Sequence, residues 1–310
     1  MYFTINKAEK YIGDLKRYIF QAVRKIDCFR HASHDVQGAH AVDFDDSDWA
    51  SFETGSTWGG RDQTHWFRTE VEIPASWKDA KVALFFTPGP GHAGGLSGAE
   101  TLIYIDGVPT QGLDANHHEI HVLPEWKARG KIHVALKAFS GLQNVQRHFA
   151  AASLVMINEA AEDFYFRALT MLETIRILPE GDYDRERLVT FLNDAINAID
   201  FRKPGSAIFY QSIAHANKAL VERLSDYQSS ESHRPLITAV GHSHIDVAWL
   251  WRLKHTREKS ARTFSTVNHL IKQYPEYQFI QSQPQLYDYI KGDYPEIYEE
   301  IKANIKAGNW

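Results

Sequence analysis

Three potential metal ligands, two histidines and one aspartate, lie at alternate positions in the last quarter of the sequence. They are His242, His244 and Asp246, and they follow an apolar run over residues 235–240 that stops at Gly241. In extended chain, alternate side chains point to the same side. Imidazole and carboxylate groups both coordinate Zn²⁺, so the spacing predicts a metal site. The same spacing is also typical of a loop in which one histidine donates a hydrogen bond to Asp246.

The segments around these residues alternate between strand and helix. The run Leu236–Val240 predicts a strand buried on both faces, as in a parallel sheet. Residues 256–273 have the apolar spacing of a helix, residues 277–281 that of a second strand, and residues 287–305 that of further helical segments, interrupted near Gly292. This order predicts a parallel α/β domain, where ligand sites gather at the carboxyl ends of strands. Two parallel strands cannot make a covered sheet, so we expect the beginning of a larger catalytic domain and an incomplete chain.

The region before it, residues 26–157, has the pattern of an all-β sandwich. At least five runs rich in aromatic and β-branched residues are separated by turn signals. The pair Asp106-Gly107 predicts a hairpin. The predicted strands are 66–73, 81–87, 101–105, 120–123 and 131–138.

Helical spacing marks the remaining regions. Residues 5–23 predict one amphipathic helix, and residues 158–228 predict three, ended near Pro179, near Pro204 and by a polar linker over residues 225–232. We therefore predict an N-terminal helix (1–25), a β-sandwich (26–157), a helical connecting region (158–232) and the start of the catalytic domain (233–310).

Two further groups in the sandwich region have residue types that bind ligands. His117, His118 and Glu119 are adjacent, and neighbouring side chains in a strand face opposite ways, so a shared metal site is not expected. The glycine-rich residues 89–98 lack a P-loop lysine and a following helix, which argues against phosphate binding. Five tryptophans have flat faces suited to sugar stacking, although core packing is the favoured interpretation: Trp49, Trp58, Trp66, Trp77 and Trp126.

Composition bears on the partners and the compartment. The 310 residues are 44% hydrophobic and carry a net charge of −5, which favours neither nucleic acid nor a membrane surface as partner. The longest apolar stretch, residues 149–157, is far shorter than the ~20 residues of a membrane span. The single cysteine, Cys28, excludes an internal disulfide and suits a reducing compartment. We expect a cytoplasmic protein.

The stretch from His242 to Arg252, His-Ser-His-Ile-Asp-Val-Ala-Trp-Leu-Trp-Arg, resembles the opening motif of glycoside hydrolase family 38, the retaining α-mannosidases. The resemblance extends over residues 236–310 and includes 262–265, 274–277, 279–287 and 293–296. The preceding regions are similar in layout to the subgroup of bacterial and cytosolic or vacuolar enzymes. The resemblance implies a jelly-roll, galactose-binding-like sandwich followed by the first βα units of a seven-stranded β/α barrel-like domain.

The resemblance also implies roles for individual residues. His244 and Asp246 match two ligands of the family's zinc ion, and Trp249 matches a residue that lines the mannose site. His242 lies outside this pair. Neither the nucleophile nor the acid/base of the family matches a residue here, so no catalytic residue is assigned, and Asp288, Asp293 and Glu296 are expected on solvated faces. The implied full-length enzyme cleaves terminal α-linked mannose from oligosaccharides and is compatible with a homo-oligomer, whereas this chain is expected to be inactive and to bind zinc weakly or not at all.

Two other interpretations remain open. The chain could act alone as a carbohydrate-binding module through its sandwich. Alternatively, it could belong to another class of metal hydrolase that shares the His-x-Asp spacing of His244 and Asp246 by chance.

Overall fold

A computed structural model describes residues 2–89, 99–229 and 237–310 of the chain. The helices and strands in these residues are, in chain order, α1 Tyr2–Leu15, β1 Phe20–Lys25, β2 Cys28–Ala32, β3 Ala50–Glu53, β4 Thr57–Gly60, β5 Thr64–Glu72, β6 Lys81–Thr87, β7 Glu100–Ile105, β8 Val108–Leu113, β9 Glu119–His121, α2 Pro124–Arg129, β10 Lys131–Phe139, β11 Val145–His148, β12 Ala151–Ile157, α3 Glu159–Ile177, α4 Tyr183–Asn197, α5 Ala207–Ser229, β13 Gly241–His242, α6 Leu253–Gln273, β14 Phe279–Ile280, α7 Pro284–Asp293 and α8 Pro295–Ala307.

The chain divides into two compact units. One unit comprises Met1–Val23 and Val155–Leu236, and the other comprises Arg24–Leu154 and Ile237–Trp310. The second unit therefore holds both the sandwich and the segment that carries His244. The domain boundaries given above stay a prediction. In the described part of the chain, no helix is both long enough and apolar enough to cross a bilayer.

The sandwich is built from two main sheets. One has the strand order β3-β2-β5-β10-β7-β8, and the other has the order β1-β12-β6-β9. Strands β5 and β10 pair over nine residues, from Lys131 opposite Glu72 to Phe139 opposite Thr64. Strands β7 and β8 form the predicted hairpin, and Asp106 (φ 50°) and Gly107 (φ 82°) both take the positive φ of a two-residue hairpin turn. The all-β prediction is confirmed.

Aromatic rings fill the centre of the sandwich. Phe67 is fully buried and lies 4.8 Å from Phe52 and 5.3 Å from Phe149 between ring centroids, in edge-to-face contact. Leu84, Ile103 and other aliphatic side chains surround these rings. Such rings gain from both burial and their edge-to-face geometry, so this core stabilises the sandwich strongly.

The six-stranded sheet is covered on its other face by the segment that carries His244. Leu102, Tyr104 and Ala135 point away from the aromatic core and pack with Phe264 of α6 and Leu286 of α7 in one cluster. This second cover explains why β7 and β10 are buried on both faces although their sheet is antiparallel.

Gly112 of β8 allows the closest approach between the sheet and α6. A Cβ there would lie 2.9 Å from the Cβ of Arg262, and the Gly112 amide donates a 2.9 Å hydrogen bond to the Thr266 hydroxyl. A side chain at this position would therefore separate the sheet from the helix.

The first unit is helical. Helices α3, α4 and α5 follow the predicted pattern, and their buried faces include Phe164, Leu172, Leu192 and Ile213. Asn158 begins α3 by accepting a 3.0 Å bond from the Ala161 amide, a normal N-cap. Two apolar residues of α3 depart from the pattern, because Phe166 and Ile177 are exposed.

The predicted helix over residues 5–23 is too long. Helix α1 ends at Leu15 and is followed by a short 3₁₀ turn, and Phe20–Lys25 is a strand in the four-stranded sheet. Ile19 and Val23 extend the helical spacing by coincidence, because a strand partner distant in sequence determines the conformation of this segment. The predicted linker also begins too early, since α5 continues to Ser229.

The strand predicted over residues 236–240 is wrong within its described part. Residues 237–240 are neither strand nor buried, and Ile237 is 82% exposed. The strand is instead β13, Gly241–His242, which pairs in parallel with β14. The parallel arrangement is therefore confirmed, but the strand lies later in the chain than the apolar run indicates.

Candidate functional site

The two predicted ligands of the His-x-Asp pair lie on the loop that follows β13. His244 Nε2 and Asp246 Oδ1 are 3.2 Å apart, and the side chains are 75% and 43% exposed. Ile245 between them is buried among the residues that join the segment to the sandwich. Alternation of side chains along extended backbone thus directs Ile245 inward and the two polar groups outward.

Two glutamines from the end of β14 hold the backbone beside His244. Gln281 Nε2 donates to the Ser243 carbonyl, and Gln283 Nε2 donates to the Ile245 carbonyl at 2.8 Å. The Gln281 side-chain oxygen in turn accepts a 3.1 Å bond from the Gln283 amide. The sequence alone predicted no role for Gln281 or Gln283. Their alternate positions after a strand predicted to be parallel to the first could have shown that they face its loop.

A third contact holds the loop from the side of α6. The Thr256 hydroxyl bonds the Asp246 carbonyl, the Ala248 amide and the Trp251 indole N–H. Ala248 has φ 78°, a left-handed conformation that residues with a Cβ rarely adopt and that costs about 1–3 kcal/mol. The loop from Asp246 to Trp251 therefore contains one strained residue, Ala248, and makes three hydrogen bonds with the Thr256 hydroxyl.

Trp249, the third predicted site residue, lies on the surface. Its side chain is 59% exposed and meets Trp251 edge-on, with ring centroids 5.7 Å apart. Trp251, rather than Trp249, lines a cavity of about 480 Å³ that also includes His244 and His242. The cavity is also lined by Glu100 of β7, by the end of β8 and the residues after it, and by α6.

The first turn of α6 is fixed to the sandwich by Asp62. Asp62 pairs with Arg252 and lies 3.4 Å from His255 Nε2, and it has φ 57° in the loop before β5. Burial raises the pKa of the Asp62 carboxyl, but the hydrogen bond from Arg252 and the nearby positive charges outweigh burial and hold that pKa below its usual value. Burial lowers the pKa of His255. The Asp62 carboxyl is therefore ionised at neutral pH and holds the first turn of α6 to the sandwich.

A second ionic contact joins the sandwich to α6 further along the helix. Glu100 of β7 pairs with both Lys259 and Arg262. Burial by itself raises the pKa of Glu100, but the charges of Arg262 and Lys259 more than offset it, so the pKa lies below its ordinary value. The two contacts keep the helix that carries Thr256 in place against the sheet.

The donor atoms of His244 and Asp246 fit a shared cation. Two ligand atoms at about 2.1 Å from one tetrahedral Zn²⁺ are about 3.4 Å apart, near the observed 3.2 Å, which is also a hydrogen-bond distance between the two side chains. Imidazole nitrogen and carboxylate oxygen are also the donor types that zinc takes when no thiolate is present. Among the described residues, the pair does not belong to any set of three His, Cys, Asp or Glu ligand atoms within 4.8 Å of one another. The pair is therefore a partial ligand set.

Other groups considered from the sequence do not converge on this pair. His117 bonds Asp114 at 2.9 Å, and His118 Nδ1 lies 3.2 Å from the Phe86 carbonyl oxygen, so these two neighbours have separate partners. Glycine-rich residues 90–98 lie outside the described residues. Trp58, Trp66 and Trp126 are buried, which excludes them from a sugar-stacking surface.

Three further carboxylates named in the sequence prediction lie on α7 and α8. Asp293 accepts two bonds from Arg257, at 2.5 and 2.6 Å, and Asp288 and Glu296 are exposed. None of these three carboxylates belongs to the loop of His244.

Two separate stretches of the chain match known family models. Residues 234–310 match the glycosyl hydrolases family 38 N-terminal domain, and residues 25–146 match the alpha-mannosidase jelly roll domain. Both matches agree with the resemblance found in the sequence.

Individual relatives match over most of this chain. Alpha-mannosidase G of Dictyostelium discoideum is 26% identical over 99% of it, alpha-mannosidase 2C1 of Homo sapiens 28% over 85%, and the alpha-mannosidase of Saccharomyces cerevisiae 24% over 80%. The chain covers 29%, 25% and 24% of these proteins, respectively. It therefore spans about a quarter of the length of the curated relatives it matches.

Proposed function

We propose that this chain is the N-terminal part of a zinc-dependent retaining α-mannosidase and supplies the first half of its metal site. The observation that carries the proposal is the 3.2 Å separation of His244 Nε2 and Asp246 Oδ1 on the strand-end loop of the segment matched to family 38. A different metal hydrolase with a chance His-x-Asp pair does not account for the jelly-roll match over residues 25–146.

His244 and Asp246 are the residues that would hold the zinc ion. When bound, zinc acts as a Lewis acid that binds and polarises sugar oxygens. The exposed face of Trp249 offers an apolar surface to the C–H face of a mannose ring. His242 has no assigned role in this proposal.

A retaining glycosidase needs two carboxyl groups about 5–5.5 Å apart, one as nucleophile and one as acid/base. In the described residues, Asp246 is engaged with His244, and Asp293 is engaged with Arg257. We therefore propose that the 310-residue chain alone does not hydrolyse mannosides and binds zinc weakly. The longer protein is the enzyme, acting on terminal α-linked mannose of oligosaccharides.

The compartment and the domain limits belong to the same proposal. A cytoplasmic location is supported by the single cysteine, because a reducing compartment requires no disulfide. The limits 1–25, 26–157, 158–232 and 233–310 are supported by the changes in residue pattern along the sequence.

The test is hydrolysis of an aryl α-mannoside by the protein of the complete reading frame and by its variants. We expect His244→Ala and Asp246→Asn each to lower kcat/KM by at least about 100-fold, because each removes a zinc ligand. His242→Ala is the matched control and keeps activity within about threefold, as expected for a residue outside the metal pair.

Two kinds of result would overturn the proposal. One is full activity of His244→Ala, or an equal loss in His242→Ala. The other is rapid turnover by the 310-residue chain alone, or one equivalent of zinc that remains on it through desalting and disappears in His244→Ala.

A further inference from the structure

One buried hydroxyl contacts three parts of the loop that carries the candidate ligands. Thr256 Oγ1 accepts hydrogen bonds from the Ala248 amide at 3.1 Å and the Trp251 indole at 3.0 Å. It donates to the Asp246 carbonyl at 3.2 Å. A hydroxyl offers one donor and two acceptor sites, so all its capacity is used. The Thr256 side chain has no solvent exposure, and water therefore does not compete for these bonds.

The three contacts enclose the turn at Ala248. That residue holds a left-handed conformation (φ 78°), which needs support from its surroundings when the residue carries a Cβ. The turn lies between Asp246 on one side and Trp249 on the other. Its conformation therefore determines the direction of both side chains relative to each other.

Thr256 belongs to an element that is much more firmly held than the loop. In the first turn of α6, His255 Nδ1 accepts a 3.1 Å bond from the Arg252 amide, and Arg252 pairs with Asp62 of the sandwich. By contrast, Val247, Trp249 and Leu250 of the loop are all exposed. The firmly held helix can therefore fix the position of the loop, and Thr256 is the side chain that links the two.

We propose that Thr256 is the positioning residue of the candidate metal site. Its hydroxyl fixes the turn at Ala248, and through that turn it sets Asp246 for the metal and Trp249 for the sugar. Thr256 acts through the backbone of Asp246 and Ala248 and contacts neither the metal nor the sugar. The roles of Asp246 and Trp249 in this statement rest on the proposed function, whereas the control of their orientation by Thr256 does not.

The experiment compares three variants of the 310-residue chain by NMR. Thr256→Val removes the hydroxyl and keeps the shape of the side chain, and Thr256→Ser keeps the hydroxyl. Thr266→Val is the matched control, because the Thr266 hydroxyl also bonds across to another element, the Gly112 amide, but lies on a later turn of α6. The readouts are the ring signals of His244 during a Zn²⁺ titration and the indole signal of Trp249 without metal.

We expect Thr256→Val to weaken the zinc response of His244 by about 10-fold or more, the usual effect of losing a group that orients a ligand. We also expect it to shift the Trp249 signal, because the edge-on contact with Trp251 is lost. Thr256→Ser and Thr266→Val should keep the zinc response within about threefold and leave the Trp249 signal in place.

Each remaining outcome is decisive. An unchanged Trp249 signal in Thr256→Val overturns the proposal, as does an equal loss of zinc response in Thr266→Val, which would indicate general weakening of α6. If zinc leaves the His244 signals of the unaltered chain in place up to millimolar concentration, the partial ligand set does not hold zinc without the rest of the enzyme. The Trp249 signal then decides the positioning role by itself.

Discussion

The core aromatic rings of the sandwich and the Trp249 ring of the segment that matches family 38, residues 237–310 (the family 38 segment), lie in opposite environments. In the sandwich, Phe67 and Trp58 are 0–3% exposed and their rings lie in the aromatic core, and Trp66, 2% exposed, is buried on the outer face of the six-stranded sheet. In the family 38 segment, Trp249 is 59% exposed beside two exposed polar groups, His244 and Asp246. Residue type alone is therefore a poor guide to sugar binding, and the contrast favours the loop after β13 over the sandwich as the ligand site.

The two regions also differ in the apolar contacts that stabilise them. The sandwich has a core of its own, centred on aromatic rings. The family 38 segment has a two-stranded sheet, and much of its buried apolar surface packs against the outer face of the six-stranded sheet. The sandwich therefore serves as the support on which the loop of His244 is built. Three predictions test this difference, from the largest expected effect to the smallest.

Truncation of Phe67 should have the largest effect. Phe67→Ala removes a fully buried ring from the aromatic core, and we expect the free energy of unfolding to fall by about 3–5 kcal/mol. Urea denaturation followed by fluorescence measures the change. Val108→Ala is the control, because Val108 is 55% exposed and should change the same quantity by less than about 0.5 kcal/mol. A similar small effect at Phe67 would contradict the assignment of the rings as the stabilising core.

Loss of the Glu100 charge should have an intermediate effect that depends on pH. Glu100→Gln leaves Lys259 and Arg262 without their carboxylate, and we expect a loss of about 2–3 kcal/mol at pH 7, less than for a fully buried pair because the side chain is 18% exposed. The carboxyl has a lowered pKa in the folded state, so its contribution is present above the ordinary value of 4.5 and is lost as pH falls through the lowered value.

The measurement for Glu100 is the difference in unfolding free energy between the two proteins from pH 7 to pH 3. We expect the difference to be constant down to about pH 5 and to shrink below it. Glu72→Gln, at an exposed strand position, is the matched control and should show little difference at any pH. A difference at Glu100 that grows on acidification would disprove the ionic contact.

Truncation of Trp249 should have the smallest effect on stability. Because the ring is largely exposed, we expect Trp249→Ala to change the free energy of unfolding by less than about 0.5 kcal/mol. Trp66→Ala is the comparison within the same chain; it removes a ring that is 2% exposed and donates to Asp35, and should cost about 3 kcal/mol or more. Equal losses in the two variants would remove the distinction between core and surface tryptophans.

Local patterns predicted much of the fold. Alternation placed β6 at residues 81–87, and Asp-Gly placed the hairpin after Ile105, because strand faces and tight turns depend on neighbouring residues. The limits of helices and strands that depend on residues distant in the sequence were predicted wrongly. Phe20–Lys25 continues a helical spacing but is a strand, and residues 237–240 are apolar but exposed.

For the site, the sequence by itself determined the candidate ligands: their types and alternate spacing, together with the family resemblance, were enough to select His244, Asp246 and Trp249. Only the tertiary structure revealed what holds them. Gln281, Gln283 and Thr256 reach the loop from a second strand and a helix, and Asp62 reaches that helix from the sandwich. The physical reason is that ligand chemistry is a property of side chains close together in the chain, whereas orientation is supplied by hydrogen bonds from residues that only folding brings near.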